Sequence, residues 1–130
     1  MSKTIKEIYN EEYIENPETS LLKQYNSILN KTPDELNVDD ICILIRQEFF
    51  LEIAVPKAIE ILKKDPSAGD NYDYCLLINL SKVESSLNEY KDLVSSLIET
   101  LEKRFDKIEF DLDSDKEDYL EAIKLLKEHK

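Results

Sequence analysis

Apolar residues recur at intervals of three and four along most of the chain, with polar and charged residues between them. That spacing puts one apolar face on a helix of about 3.6 residues per turn. Residues 3–14 carry Ile5, Ile8, Tyr9 and Tyr13 in this pattern. Asn16-Pro17 closes the segment, because a residue before Pro avoids the helical basin. Thr19 or Ser20 opens a second helix, with Leu21, Leu22, Tyr25, Ile28 and Leu29 inward. Lys31-Thr32-Pro33 breaks it. Asn37 caps a third helix, and Asp39 and Asp40 fall in its first turn, where the backbone dipoles favour negative charge. Its stripe is Val38, Ile41, Leu44/Ile45 and Phe49.

A fourth helix follows almost at once. Ile53, Ala54, Val55, Ala58, Ile59, Ile61 and Leu62 make it apolar on most sides, so it is expected at the centre. Pro56 fits in a first turn, which sets the start near Ile53 to Val55. Asp65-Pro66-Ser67-Ala68-Gly69 is the clearest loop. Asp70 is the expected cap of a fifth helix, with Asp73 as capping-box partner and Tyr74, Cys75, Leu77 and Ile78 along its face. A long helix runs from Ser85 or Ser86 to about Phe105, carrying Leu87, Tyr90, Leu93, Val94, Leu97, Ile98 and Leu101. Phe110 and Leu112 anchor the next connection. Ser114 to Glu117 reads as the capping box of a last helix with Tyr119, Ala122, Ile123 and Leu126 inward. The expected fold class is all-α, with residues 1–130 forming one compact domain of about seven helices, an irregular antiparallel bundle.

Composition supports the helical reading. The single Gly, Gly69, is too few for the positive-φ turns of a hairpin fold, and phosphate-cradling glycine loops are missing. Cys42 and Cys75 lie in apolar runs and read as buried, reduced thiols. His129 is the sole histidine and the penultimate residue, where fraying is expected, so a positioned imidazole base is not expected. Asp111-Leu112-Asp113-Ser114-Asp115 alternates carboxylates as a calcium loop does, but Lys116 and Ala122 replace the Gly and the bidentate Glu that such a loop needs. No metal, no cofactor and no catalytic residue is expected, and the chain does not read as an enzyme.

Charge changes the picture most. Acids number 29 and bases 17, for a net charge of −12. That excess argues against nucleic acid and anionic membrane as partners. The N-terminus lacks the apolar core of a signal peptide, and no apolar run approaches the ~18 residues of a membrane span, so a cytoplasmic location is expected. A strongly acidic helical surface attracts a basic partner and speeds the encounter. Three other readings stand beside that one: an adaptor binding a peptide in an apolar groove, a metal-dependent acidic enzyme, and a homodimer seamed along Leu93 to Phe105.

The segment Leu36 to Leu77 resembles the immunity proteins of contact-dependent growth inhibition systems (CdiI), in one of their all-helical families. Leu36-Asn37-Val38-Asp39-Asp40 and Leu44-Ile45-Arg46-Gln47 match the opening of the pattern. Leu51, Val55, Pro56, Ala58, Ile59 and Leu62 match its Leu-x-x-x-Val-Pro run. Asp65-Pro66, Gly69-Asp70, Tyr72 and Leu76-Leu77 match its third part. The family commonly has Gly where this chain has Phe50, and a second Gly ahead of Leu-Leu, where this chain has Tyr74-Cys75. The Trp that usually follows the fifth helix is absent. Within the motif, Gln47 is expected to satisfy buried backbone groups near a helix end.

The resemblance implies a dedicated binder of a cognate toxin domain, in a 1:1 complex, acting by blocking the toxin's active site or substrate path. A net charge of −12 suits a basic, nuclease-type toxin. The candidate toxin contacts lie off the helical stripes. They are Asp70, Tyr72 and Asp73 at the central turn, and Asp111, Asp113, Asp115, Glu117 and Asp118 towards the C-terminus.

Overall fold

Side-chain caps set the starts of the first three helices. Thr4 accepts from the Glu7 amide ahead of α1 (Ile5–Tyr9), and Thr19 from the Leu22 amide ahead of α2 (Ser20–Leu29). Asn37 and Asp40 form a reciprocal capping box at α3 (Val38–Gln47). The computed structural model describes residues 3–69, 73–84 and 87–128. Among these it adds α4 (Leu51–Lys64), α5 (Cys75–Ser81), α6 (Lys91–Arg104) and α7 (Asp113–Glu128), with no strand. The all-α expectation holds.

The apolar stripes meet in one cluster that runs from Ile5 to Leu126. Helix α4 packs against α3, α5 and α6, burying Ala54, Val55, Ala58, Ile59 and Leu62. Helix α5 packs on α3 and α7, and α6 on α7. Of the stripe from Leu93 to Phe105, Val94, Leu97, Ile98 and Leu101 are buried within the chain, while Leu93 is exposed.

Several boundaries differ from the sequence reading. Helix α1 ends at Tyr9, because Asn10 turns left-handed (φ 53°) and its amide returns to the Lys6 carbonyl. The chain beyond it is fastened instead by Asn26, which donates to the Ile14 carbonyl (2.9 Å) and accepts from its amide (2.8 Å). Helix α4 begins at Leu51, so Pro56 lies in its second turn and deprives the Glu52 carbonyl of a ladder bond. Helix α6 begins at Lys91 after a 3-10 turn at Asn88–Tyr90; Ser85 and Ser86 lie outside the described residues. Ser114 falls inside α7 rather than capping it, and the amides of Asp115 and Lys116 turn back to the Leu112 carbonyl (3.1 and 3.4 Å). Gln47, expected among buried groups, is exposed.

Phe50 and Tyr74 precede α4 and α5 in the left-handed region, at φ 50° and 68°. These are the positions where glycine relieves the Cβ clash, and here aromatic rings occupy them. The Phe50 ring is retained by Tyr9 at 4.5 Å and Tyr25 at 6.0 Å between centroids. Truncating it should therefore reverse the usual order of helix formers. Phe50→Gly and Phe50→Ala both lose the ring, but only Gly relieves a backbone cost of about 1 kcal/mol. Urea unfolding is expected to find the Gly variant the more stable by that amount. An Ala variant as stable as Gly would show that the left-handed turn carries no cost.

Candidate functional site

The loop between α4 and α5 folds back on itself. The Asp65 carboxylate accepts from the Ser67 amide (3.1 Å) and hydroxyl (2.6 Å). The Tyr74 amide donates to the Ser67 carbonyl (2.9 Å) and the Leu76 amide to that of Ala68 (3.2 Å). Pro66 and Ala68 are buried beneath the turn. The left-handed Tyr74 then sends its ring against α7 and the segment before it, where Phe110 lies at 5.6 Å and Tyr119 edge-on at 5.9 Å. Phe105 completes the aromatic cluster, 6.0 Å from both Phe110 and Tyr119.

Carboxylates from three segments act electrostatically on the phenol of Tyr74. Burial raises the Tyr74 phenol above its usual pKa, and Asp115, Asp73, Asp111 and Asp65 raise it further, in that order. Each carboxylate disfavours the negative charge of the phenolate. Asp73 and Asp111 are exposed and Asp115 is half-buried. Two candidate sets about forty residues apart in sequence therefore act on one side chain.

Of the other candidate contacts, Asp70 and Tyr72 lie outside the described residues. Asp73 sits in the turn ahead of α5, which starts at Cys75 with Tyr74, not Asp70, at its N-terminal cap position. Asp113 borders a concavity lined by Phe105, Ile108, Phe110 and Lys116. Glu117 and Asp118 are exposed on α7. Asp65 and Tyr74 were missed by the sequence reading, Asp65 as a loop residue and Tyr74 as part of a helical stripe. Only the Gly expected beside Tyr74 hinted at a turn there. Among the described residues, no three acidic, thiol or imidazole groups are placed to hold a metal ion.

Tyr119 anchors the site from below. It is fully buried, and its hydroxyl donates to the Leu101 carbonyl at 2.6 Å. Burial, then the Tyr74 phenol, pushes its pKa up to about 12, with Arg104 opposing. The unfolded chain releases this proton near the ordinary tyrosine value of about 10. The folded chain holds it longer, so stability is fully present below about pH 10 and is lost as pH rises towards 12. Tyr119→Phe should lower stability at pH 7 by about 1–2 kcal/mol, since the Leu101 carbonyl loses its partner. It should also flatten the alkaline fall. An unchanged alkaline profile would show that Tyr119 does not contribute to it.

Among the described residues, no helix is long and apolar enough to cross a membrane. No curated protein matches the chain. A family model described as CDI immunity proteins matches residues 7–97. The match takes in the α3–α4 pair, the left-handed Phe50 and Tyr74, and the Asp65 to Asp73 loop, while Asp111 and Asp115 lie beyond it. With well over half of its 130 residues matched across these elements, the chain belongs to the family of CDI immunity proteins.

Proposed function

We propose that this immunity protein neutralises a basic, nuclease-type toxin domain in a 1:1 complex in the cytoplasm, with residues 1–130 acting as one domain. Its acidic face around Tyr74 covers the toxin's active site or substrate path. The packing of Tyr74 on Phe110 and Tyr119, which brings Asp73 and Asp111, their sequence neighbours, to one part of the surface, carries the reading. A nuclease holds phosphates with basic groups, and a fixed set of carboxylates offers those groups an alternative anion. Asp70, Tyr72, Asp113, Glu117 and Asp118 are the further contacts of this reading. The protein acts by binding, with no catalytic group and no cofactor.

The test is capture of the toxin domain encoded beside this chain, followed by calorimetry and stopped-flow association at two salt concentrations. The expected result is a 1:1 complex of nanomolar affinity. Its association rate should fall at least about tenfold from low to high salt, because screening shortens the reach of the acidic face to about 3 Å at 1 M. Failure to bind the toxin overturns the function. Tight binding with a salt-independent rate overturns the electrostatic part alone.

A further inference from the structure

A second surface lies at the N-terminal helices. Ile14, Leu21, Leu22, Tyr25 and Phe49 line a groove of about 320 Å³, with Glu11 and Glu12 at its edge. Leu21 and Phe49 are 38% and 40% exposed, although both are large and apolar. The groove is held in shape from both sides. Asn26 fixes the Ile14 wall through its two bonds to that residue's backbone. Tyr25 meets Phe49 edge-on at 5.4 Å.

Phe49 is held outward by the backbone. It stands between Glu48 at φ 55° and Phe50 at φ 50°, two left-handed residues with side chains. The amide of Glu48 closes the end of α3 on Leu44 and Ile45, and the carbonyl of Phe50 accepts from Ile53 and Ala54 at the start of α4. Two helix ends are thus joined through Phe49. Left-handed residues with side chains on both sides of a 40% exposed aromatic ring are a backbone cost of the kind that clusters at functional surfaces. Rigid aromatic walls with a charged rim are also the usual anatomy of an interface anchor.

We infer that this groove is a second contact with the toxin domain, receiving one apolar side chain that the toxin presents between lysine or arginine residues. The occupant's chemistry follows from the lining, which supplies apolar walls, two carboxylates and no base. The inference rests on the immunity reading and adds a division of labour. The acidic face around Tyr74 governs the encounter, and the groove governs how long the complex lasts.

The test uses the full chain and the toxin domain encoded beside it. Leu21→Arg places a like charge against the basic flanks, and Phe49→Ala removes the anchor wall. Each should accelerate dissociation at least tenfold while the association rate changes by less than threefold. Leu93→Arg, at an exposed position of α6 that lines neither proposed surface, is the matched control for an added charge and should leave dissociation unchanged and association within threefold. Circular dichroism and melting of the free variants establish that they fold. Binding by the parent chain with both variants within twofold of it overturns the groove and leaves the immunity reading standing. Absence of binding by the parent chain overturns both. Self-association of the parent chain that Leu21→Arg abolishes, with toxin dissociation unchanged, overturns the inference in favour of a second copy of this chain.

Discussion

Replacing Lys31 by Met is expected to lower the stability of the fold by about 3 kcal/mol, and adding Asp40→Asn should restore most of the loss. The Lys31 ammonium lies 2.7 Å from an Asp40 oxygen, and the Asp40 side chain is only 3% exposed. The same oxygen accepts from the Asn37 amide at 3.1 Å, and Asn37 in turn accepts from the Asp40 amide at 2.9 Å. The Lys31 carbonyl also receives the Ile5 amide at 2.8 Å, so this corner joins α1, the α2–α3 connection and α3. Removing Lys31 leaves a buried carboxylate with one neutral donor for that oxygen, and an unpaired buried charge is the costly outcome. An Asn at position 40 keeps an acceptor for the Asn37 amide and carries no charge. The lysine side chain is 28% exposed, so the estimate stays at the low end for broken buried pairs. Urea unfolding at pH 7 gives all four corners of the cycle. A loss below about 1 kcal/mol for Lys31→Met would mean that solvent already satisfies Asp40.

This corner was half legible in the sequence. Asn37 followed by Asp39 and Asp40 announces a helix start, because capping needs only neighbours in sequence. Nothing local says that Lys31 pairs with Asp40 rather than with solvent. The same division holds through the chain. The stripes of α4 and α7 follow from spacing alone and fill the core, whereas in those of α2 and α3 Leu21 and Phe49, expected inward, stay exposed. The left-handed entries to α4 and α5 do not. A glycine would have signalled them, whereas Phe50 and Tyr74 look like ordinary stripe residues. Their conformation is supported by rings that are distant in sequence: Tyr9 and Tyr25 for Phe50, Phe110 and Tyr119 for Tyr74. The acidic site was therefore visible as two separate groups of carboxylates. Their convergence depends on the turn at Ser67 and Ala68 that brings Asp65 and Asp73 to α7.

Reversing charge at that convergence should separate binding from folding. Asp73→Lys and Asp115→Lys together are expected to weaken toxin affinity at least about 100-fold, chiefly through slower association, with a further contribution from dissociation at the half-buried Asp115. Glu117→Lys with Asp118→Lys, on exposed α7 surface, should act on the association rate alone and by about tenfold or less. In the free protein the effect should be small. Asp73 is exposed, and its reversal is a surface change worth about 0.5 kcal/mol or less. Asp115 lies in the first turn of α7, where a lysine meets the positive end of the helix dipole at a cost of about 0.3–1 kcal/mol. The reversed chain should therefore melt within about 5 °C of the parent. A larger fall in melting temperature alongside the lost affinity would assign the carboxylates to the fold, and affinity within twofold after both pairs of reversals would remove this face from the complex.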